Sequence, residues 1–381
     1  MIDKFRKNCF GCTACGEVCP VGAIEFDRDQ LGFIYPNITE DKCIQCNKCE
    51  KICPVVSFKE TVNEKNKTAF AARHNNLTEV ETSRSGAVFT AISDVVFLQG
   101  GVVYGASFDD NFNVIHSEAN DKDACRKFKG SKYVQSDLRG VIKKIKEGLF
   151  QGKKVLFSGT PCQVAGLKAC ISKELSANLY VVDIVCHGAP GPRLWSDYIQ
   201  HIRKRYKGEL KAFEFRDKSI NGWSDHIESY VIDDKKFNSK LFTHLFYSNS
   251  FFRESCYSCP FASLNREGDI TLADFWGWEK VDKELNSDDK GISLVLVNSD
   301  RGKELFEIAK KDLKVWNVEI EQCLQPNLIR PTKAPENRKE LVAYYSKWGF
   351  EKLVRYVVKP SLFKRILRKI KIITLKAWKI K

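Results

Sequence analysis

Two cysteine runs near the start of the chain have the residue types and the spacing to bind iron. The first covers residues 9–20, CFGCTACGEVCP, and the second covers residues 43–54, CIQCNKCEKICP. Both follow the pattern C-x2-C-x2-C-x3-C-P, and their offset of 34 residues marks an internal duplication. Cysteine thiolates at this spacing are ligands of [4Fe–4S] clusters. The two runs therefore predict two clusters and electron transfer.

The fourth cysteine of each run lies too far along the chain to close on the cluster that the first three hold, and in this pattern it binds the other cluster. We expect two crossed ligand sets, which are Cys9, Cys12, Cys15 and Cys53 for one cluster and Cys43, Cys46, Cys49 and Cys19 for the other. Such crossing is typical of a bacterial-type ferredoxin. Zinc would use pairs of cysteines and leave others over, and a disulfide framework would need an oxidising compartment.

Four further cysteines lie in loops where ligands are common. Cys162 and Cys186 follow predicted strands, and Cys256 and Cys259 form a C-x2-C pair before a proline. These four can hold a third [4Fe–4S] cluster, bind zinc, or be small buried side chains, and the residues alone leave these alternatives open. Because Cys162 lies at the start of a predicted helix, we expect its pKa to be lowered. The remaining cysteines, expected to be structural, are Cys125, Cys170 and Cys323.

Alternating strands and helices must position these loops. Apolar runs predict strands at 68–74, 102–108, 114–116, 154–157, 179–185 and 291–297, with more strands within 210–250. Helices are predicted at 85–98, 138–149, 192–206 and 299–311, and another has Thr160 as its N-cap. The strand–helix–strand–helix order from 154 to 206 predicts a parallel unit, whose ligands usually lie at the carboxyl ends of the strands.

The predicted fold class is α/β, with an α+β ferredoxin module ahead of a mixed α/β body that has a partly parallel sheet. The regions we expect are a module over 1–60, body regions over 68–150 and 151–330, and a helical basic tail over 335–381. Apolar residues make up 43% of the chain, as in ordinary globular proteins.

The net charge of +14 is concentrated at one end, because residues 364–381 carry eight Lys or Arg and no acidic residue. No nucleic-acid recognition motif accompanies this charge, so no nucleic-acid partner is expected. Within 363–381, helical apolar spacing opposite basic residues fits a helix on the inner membrane surface, a helix docked on its own domain, or a helix bound by a partner protein. Without an apolar spanning run or signal segment, we expect a cytoplasmic protein.

Four separated motifs resemble the coenzyme F420 hydrogenase/dehydrogenase beta-subunit family over about residues 68–330. They are Gly130–Ser136, Gly159–Leu167, Asp183–Gly188 and Asp269–Gly277. Where the family usually has Ser-Gly-Gly, this chain has Ala87 after Ser85-Gly86. The resemblance implies an oxidoreductase that passes electrons between [4Fe–4S] clusters, FAD and an organic acceptor or coenzyme F420, together with a redox partner protein. Bacterial members of the family often accompany polysaccharide biosynthesis.

The flavin has a weaker signal than the clusters, since no G-x-G-x-x-G follows a strand. Candidate contacts are a helix N-terminus that could take pyrophosphate, a lysine that could neutralise phosphate or the reduced flavin, and a tyrosine that could stack on a ring. The residues concerned are Ser85, Gly86, Ser131, Lys132, Tyr133 and Thr160. Each also fits an ordinary turn. His187 and the aromatic run 275–278 fit either a ligand contact or the core, and catalytic residues are not assignable. The alternative function is a non-catalytic ferredoxin-type subunit of a larger redox complex.

Overall fold

The computed structural model describes residues 2–58 and 67–358. These residues form thirteen strands, which are β1 (Ile24–Arg28), β2 (Ile34–Ile38), β3 (Thr68–His74), β4 (Val102–Phe108), β5 (Val114–Ala119), β6 (Val155–Gly159), β7 (Leu179–Ile184), β8 (Leu210–Glu214), β9 (Glu228–Ile232), β10 (Lys235–Ser239), β11 (Ile270–Asp274), β12 (Ser293–Val297) and β13 (Leu313–Val318).

The same residues form fourteen α-helices, which are α1 (Ala14–Glu17), α2 (Lys48–Lys51), α3 (Pro54–Ser57), α4 (Leu77–Thr82), α5 (Val88–Leu98), α6 (Lys122–Cys125), α7 (Val141–Phe150), α8 (Pro161–Cys170), α9 (Pro192–Tyr206), α10 (Lys218–Asn221), α11 (Leu241–Tyr247), α12 (Asp300–Ala309), α13 (Pro326–Ile329) and α14 (Arg338–Val358). Short 3-10 helices cover Ile2–Asn8, Glu40–Lys42, Arg126–Phe128, Leu175–Asn178, Glu254–Ser258, Trp278–Lys280, Lys310–Asp312 and Ile320–Cys323.

The N-terminal module repeats its backbone as well as its cysteines. In the first run Gly11 and Thr13 have φ of 70° and 63°, and in the second run Gln45 and Asn47 have φ of 54° and 57°. Left-handed residues on both sides of a cysteine turn the chain tightly, so that successive thiols face the same space. Helices α1 and α2 follow at the same offset, and β1 pairs antiparallel with β2.

An eight-stranded sheet forms the centre of the body, with the order β13-β3-β12-β11-β7-β6-β4-β5. The pairs β4–β6, β6–β7 and β7–β11 are parallel, and the other pairs are antiparallel. The predicted α/β class and partly parallel sheet are confirmed. The expected regions 68–150 and 151–330 both contribute strands to this one sheet, because β3 pairs with β12 and β13, and β4 pairs with β6.

Helices cover both faces of the sheet, as parallel strands require. Val96 of α5 and Phe306 of α12 belong to the core on one face, while Ile145 of α7 and Val164 of α8 belong to the core on the other. Cys12 and α1 of the module join this second core. A third core lies around α9, the antiparallel sheet β8–β10 and α14, and it takes in Phe33 of the module.

Two predicted elements differ in the structure. Residues 241–247 form α11 rather than a strand, because Phe242, Leu245 and Phe246 are buried at helical spacing and the carboxylate of buried Glu228 accepts the N–H groups of Phe242 and Thr243 at the helix start. The helix predicted from residue 85 begins at Val88. Ala87 before it has φ of 62°, a left-handed conformation that glycine adopts more readily.

No helix within the described residues is long and apolar enough to span a membrane. The basic stretch 363–381, for which we expect a surface helix, lies outside the described residues, and so does most of the polar linker 59–67. The predicted tail region from 335 is helical over α14.

Candidate electron-transfer site

The first predicted ligand set lines one cavity in the module. Cys9, Cys12, Cys15 and Cys53 surround it, together with Phe26 and the residues between these cysteines in the first run. The backbone N–H of Gly11 donates to the Sγ of Cys9 at 3.4 Å. Such N–H···S bonds stabilise negative charge on sulfur, which an iron-bound thiolate carries. The chain therefore brings three cysteines of the first run and the last cysteine of the second run to one place.

The second predicted set lines a separate cavity with Cys19, Cys43, Cys46 and Cys49. The backbone N–H of Ala23 donates to the Sγ of Cys19 at 3.2 Å. The grouping in both cavities is the crossed one that the spacing predicts. It arises because the two halves of the module fold face to face. Iron binding by the individual residues stays a prediction.

The two cavities differ in exposure. Cys12 and Cys15 are each 8% exposed, whereas Cys46 is exposed and the neighbouring Ile44 is 60% exposed. The first cavity faces the body of the protein and the second faces solvent. This asymmetry gives the module an inner and an outer site.

The module contacts the body directly at the inner site. A Cβ atom added to Gly166 of α8 would lie 2.5 Å from the Cβ of Cys12, so only glycine allows this approach. Arg253 donates to the Sγ of Cys9 at 3.3 Å and to the carbonyl of Ile34 at 2.7 Å. Ser255 donates through Oγ to the Cys9 carbonyl at 3.0 Å.

The four other candidate cysteines converge beside this contact. Cys162 lies in the first turn of α8, Cys186 follows β7, and Cys256 and Cys259 lie in and after the 3-10 turn at Glu254–Ser258. They are close enough to influence each other's charge, since Cys186 interacts with the other three. Parallel pairing of β6 with β7 places their carboxyl ends at one edge of the sheet, which explains why Cys162 and Cys186 meet.

Burial determines the protonation of these four thiols. It raises the pKa of Cys256 to about 11 and that of Cys259 to about 12, and it also raises the pKa of Cys186 well above its usual range. Burial also raises the pKa of Cys162, so the lowered value that we expected from its helix position is wrong. Loss of hydration outweighs the helix dipole here. The thiols stay protonated unless bound cations replace their protons.

The three cysteine sets share one geometric property. Within residues 2–58 and 67–358, no three His, Cys, Asp or Glu side chains form a group that could hold a single metal ion.

The remaining cysteines are buried or half-buried, and none of them lines either cavity of the module. Cys323 donates to the carbonyl of Ile320 at 3.1 Å, and Cys170 donates to the carbonyl of Ala14 at 3.7 Å. Burial raises the pKa of Cys125 to about 11. That these three cysteines are structural stays a prediction.

The first flavin candidates are occupied by internal contacts. Ser85 donates through Oγ to the carbonyl of Ile292 at 2.7 Å, and the Gly86 N–H donates to the Oγ of Ser293 at 2.9 Å. Both groups fasten the start of α5 to the sheet and have no donor left for a pyrophosphate. Thr160 instead lies beside a cysteine, with its Oγ1 3.2 Å from the Sγ of Cys162.

The loop with Ser131, Lys132 and Tyr133 lies over the carboxyl edge of the sheet. The ammonium of Lys132 donates to the carbonyls of residues 127 and 129, and the surrounding protein lowers its pKa to about 7 by removing its hydration. The ring of Tyr133 contacts the ring of Phe246, with centroids 4.6 Å apart. Ser131 is exposed. The loop can therefore border a ligand that approaches this edge.

Rings connect the third cysteine set to the end of β11. His187, next to Cys186, lies 2.9 Å through Nε2 from the Oδ1 of Asn249, and its ring is 5.9 Å from that of Tyr247. Tyr247 contacts His226, and His226 lies 5.6 Å from the ring of Trp276. Of the predicted aromatic run 275–278, Phe275 is buried in the core while Trp276 is 38% exposed.

Three arginines at these sites carry no signal in the sequence. Arg253 lies between two cysteine sets, and Arg84 and Arg216 meet at Asp274, the last residue of β11. Isolated arginines in irregular loops follow no periodicity or ligand spacing. The motif 269–277 contains Asp274 and was the one available indication of this place.

Comparison with known proteins gave two family matches. Residues 152–322 match the model of the C terminus of the coenzyme F420 hydrogenase/dehydrogenase beta subunit, and residues 8–57 match that of the 4Fe-4S dicluster domain. Among solved structures, a chain of the F420-reducing [NiFe] hydrogenase complex from Methanosarcina barkeri, studied by xenon derivatization, is 15% identical with a TM-score of 0.47. The similarity covers 73% of this chain and 88% of that chain. No curated protein matches the sequence.

Proposed function

We propose that this chain, in which residues 152–322 belong to the C-terminal family of coenzyme F420 hydrogenase/dehydrogenase beta subunits and residues 8–57 form a 4Fe-4S dicluster domain, passes electrons between a redox partner protein and an organic acceptor. It is an iron–sulfur electron-transfer protein related to those beta subunits. The acceptor, the flavin and the third cluster are the parts that we propose beyond this relationship.

The outer cysteine set is the proposed entrance. Because Cys46 and Ile44 are exposed, a partner protein can approach the Cys43 set closely without a change in the fold. The inner set lies next, since Cys49 of the outer set is near enough to Cys15 of the inner set for its charge to act on that thiol. A [4Fe–4S] cluster supplies one-electron chemistry at each set.

The observation that carries the proposal is the contact between the inner set and the four cysteines of the body. Gly166 meets Cys12, and Cys162 lies four residues before it on α8, which is about 6 Å along a helix. Arg253 interacts with Cys9 of the inner set and with Cys162 and Cys256 of the body. Cysteine thiolates in this number fit a third [4Fe–4S] cluster, which would continue the path into the body.

The chain's own residues protect this path. Phe10 and Phe58 pack against Phe261, each with ring centroids 5.2 Å apart, and they exclude water between the module and the loop after Cys259. Thr160 is placed to donate to the sulfur of Cys162, and Arg253 to that of Cys9. Hydrogen bonds and positive charge at cluster sulfurs favour the reduced state.

The proposed flavin would join one-electron clusters to an acceptor that takes two electrons. The described residues that fit it are Lys132 and Tyr133 on the loop over the sheet edge, whereas the donors of Ser85 and Gly86 are already used. Coenzyme F420 as acceptor and a link to bacterial polysaccharide biosynthesis are proposals that depend on the family resemblance alone.

The test is an anaerobic purification of the full chain with iron, sulfide and flavin counted per protein. We expect about twelve irons, because each cubane cluster holds four, and about one FAD. Changing Cys186→Ser together with Cys256→Ser should remove about four irons. The matched control is Cys323→Ala, which removes a buried cysteine outside the sets and should leave the iron count unchanged.

About eight irons in the wild-type chain would refute the third cluster. Fully loaded clusters without flavin would refute the flavoenzyme. In that case reduction of a small organic acceptor by the isolated chain decides between an enzyme and a relay subunit, since a relay subunit would reduce only its partner.

A further inference from the structure

Two buried arginines share one carboxylate at the carboxyl end of β11. The Oδ2 of Asp274 accepts from Nη1 of Arg216 at 2.5 Å and lies 3.6 Å from Nε of Arg84. The side chains of Arg84, Arg216 and Asp274 are 9%, 3% and 14% exposed. In the part of the chain that the structure describes, Asp274 is the one carboxylate within ion-pair distance of either guanidinium. The group therefore carries one positive charge more than its carboxylate neutralises.

Three nitrogen atoms of these arginines have no hydrogen-bond partner among the described residues. Nε and Nη1 of Arg84 and Nε of Arg216 are buried, and none of them donates a hydrogen bond to an acceptor there. Both guanidinium groups also donate to the carbonyl of Trp223, at 2.7 Å and 3.1 Å, so backbone acceptors nearby are already used. Buried charged donors without partners are costly, and where they persist they indicate an anion or water that completes them.

The two basic side chains next to the arginines, Lys218 and His226, supply no negative charge that could balance the guanidinium groups. The ammonium of Lys218 is held by three backbone carbonyls, and burial followed by the charge of Arg84 lowers its pKa to about 7. Burial, followed by the charge of Arg84, also lowers the pKa of His226. Burial, and after it the positive charge of Arg84, therefore disfavours protonation of both groups.

An exposed ring stands beside the arginines. Trp276, which is 38% exposed, stacks on Trp223 with centroids 4.3 Å apart and planes inclined by 25°, and the Cζ of Arg216 lies 5.4 Å from its ring. Tyr133 is 3.3 Å through its hydroxyl from Nη1 of Arg216. A planar ligand can stack on the outer side of this ring while an anionic group reaches the arginines.

We propose that Arg84, Arg216 and Trp276 form the binding site for a planar organic molecule that carries a phosphate or carboxylate group. The site would be the acceptor side of the proposed electron path, and in that role it rests on the proposed function. The position of the site agrees with that role, because ring contacts from His187 through Tyr247 and His226 lead from the third cysteine set to Trp276.

The probes are flavin mononucleotide, riboflavin and inorganic phosphate, titrated into the anaerobic, cluster-loaded full chain by calorimetry. Flavin mononucleotide and riboflavin have the same ring and differ in one phosphate. We expect riboflavin to bind about ten- to a hundredfold more weakly, which is the range for charge-assisted hydrogen bonds. Arg84→Gln should weaken the binding of flavin mononucleotide by a similar factor and leave the binding of riboflavin unchanged.

Trp276→Leu tests the ring independently, and Trp348→Leu is its matched control, since Trp348 is an exposed tryptophan on α14. Trp276→Leu should weaken the binding of both flavins by the same factor, and Trp348→Leu should leave the binding of both unchanged. Equal affinity for the two flavins, unchanged binding in Arg84→Gln and Trp276→Leu, or absence of binding of every probe to the wild-type chain would overturn the proposal.

The outcome is separable from that of the proposed function. A chain with twelve irons that binds no probe keeps the electron path and loses this site. A chain with eight irons and the expected probe affinities keeps this site and loses the third cluster.

Discussion

The guanidinium of Arg253 donates from Nη2 to the Sγ of Cys9 at 3.3 Å and from Nε to the Cys9 carbonyl at 2.5 Å. Arg253 is 2% exposed, and its ring neighbours Tyr35 and Phe33 close it off from water. Within the described residues it forms no ion pair with a carboxylate. A buried cation needs negative charge nearby, and the cysteine sulfurs supply it once they are ionised.

Replacing Arg253 should therefore change the reduction potential at the inner cysteine set. A positive charge stabilises the more negative, reduced cluster, so Arg253→Gln should lower the potential. We expect the ratio of reduced to oxidised cluster to change at least tenfold, which is about 59 mV for one electron. Potentiometric titration followed by electron paramagnetic resonance measures it. Arg253→Lys keeps the charge and should cause a smaller change.

The cluster at the outer set provides the internal control, because Arg253 contacts the inner set. An equal shift of both signals, or no shift of either, would show that Arg253 serves only to dock the module.

Crossed ligation predicts which signal each cysteine controls. Cys53 belongs to the second run but lines the cavity of Cys9, and Cys19 belongs to the first run but lines the cavity of Cys43. Cys53→Ser should alter the electron paramagnetic resonance signal of the cluster at the inner set, whose potential responds to Arg253. Cys19→Ser should alter the signal of the cluster at the outer set. The measurement is the spectrum of each variant at a series of fixed potentials. The reverse assignment would contradict crossed ligation.

Gly166→Ala should disrupt the docking of the module. Its Cβ would lie 2.5 Å from the Cβ of Cys12 and 2.8 Å from its sulfur, so α8 or the inner set must move. We expect a destabilisation of about 1–3 kcal/mol and loss of iron from the inner set. Thermal unfolding and iron content give both readings.

Gly148→Ala on α7 is the matched control, since the nearest atom to its Cβ would be 3.8 Å away. This change should stabilise the protein by roughly 0.5–1 kcal/mol through helix propensity. Similar effects of both substitutions would argue against a close contact at Gly166.

His116 should make stability depend on pH. It is buried against Phe157, its Nε2 lies 2.9 Å from the Ser158 carbonyl, and burial lowers its pKa to about 4. The unfolded chain binds a proton near pH 6.5, so the stabilising contribution is complete above that pH and is lost as the pH falls towards 4. The linked free energy is about 3 kcal/mol.

Thermal unfolding midpoints of the wild type and His116→Gln between about pH 7 and 5 test this expectation. The wild type should lose stability on acidification more steeply than the variant. His244→Gln, at an exposed histidine, should follow the wild type. Parallel curves for all three proteins would rule out a contribution from His116.

Local sequence determined the module and most elements of the body. Helix α9 covers Pro192–Tyr206, where apolar spacing and a leading proline predict it, and β3 covers the predicted residues 68–74. The cysteine spacing was sufficient to identify the dicluster domain, because three ligands within seven residues form one loop around one cluster. Such features depend on neighbours a few residues apart and are readable in one dimension.

Only the tertiary structure decided what surrounds the cysteines. It placed Gly166 against Cys12, raised the pKa of Cys162 by burial where helix position alone predicted a decrease, and used the donors of Ser85 and Gly86 inside the fold. It also brought Arg84 and Arg216, which lie more than a hundred residues apart in the sequence, to one carboxylate. Burial and long-range pairing depend on how the sheet and its loops pack, and no local pattern encodes that packing.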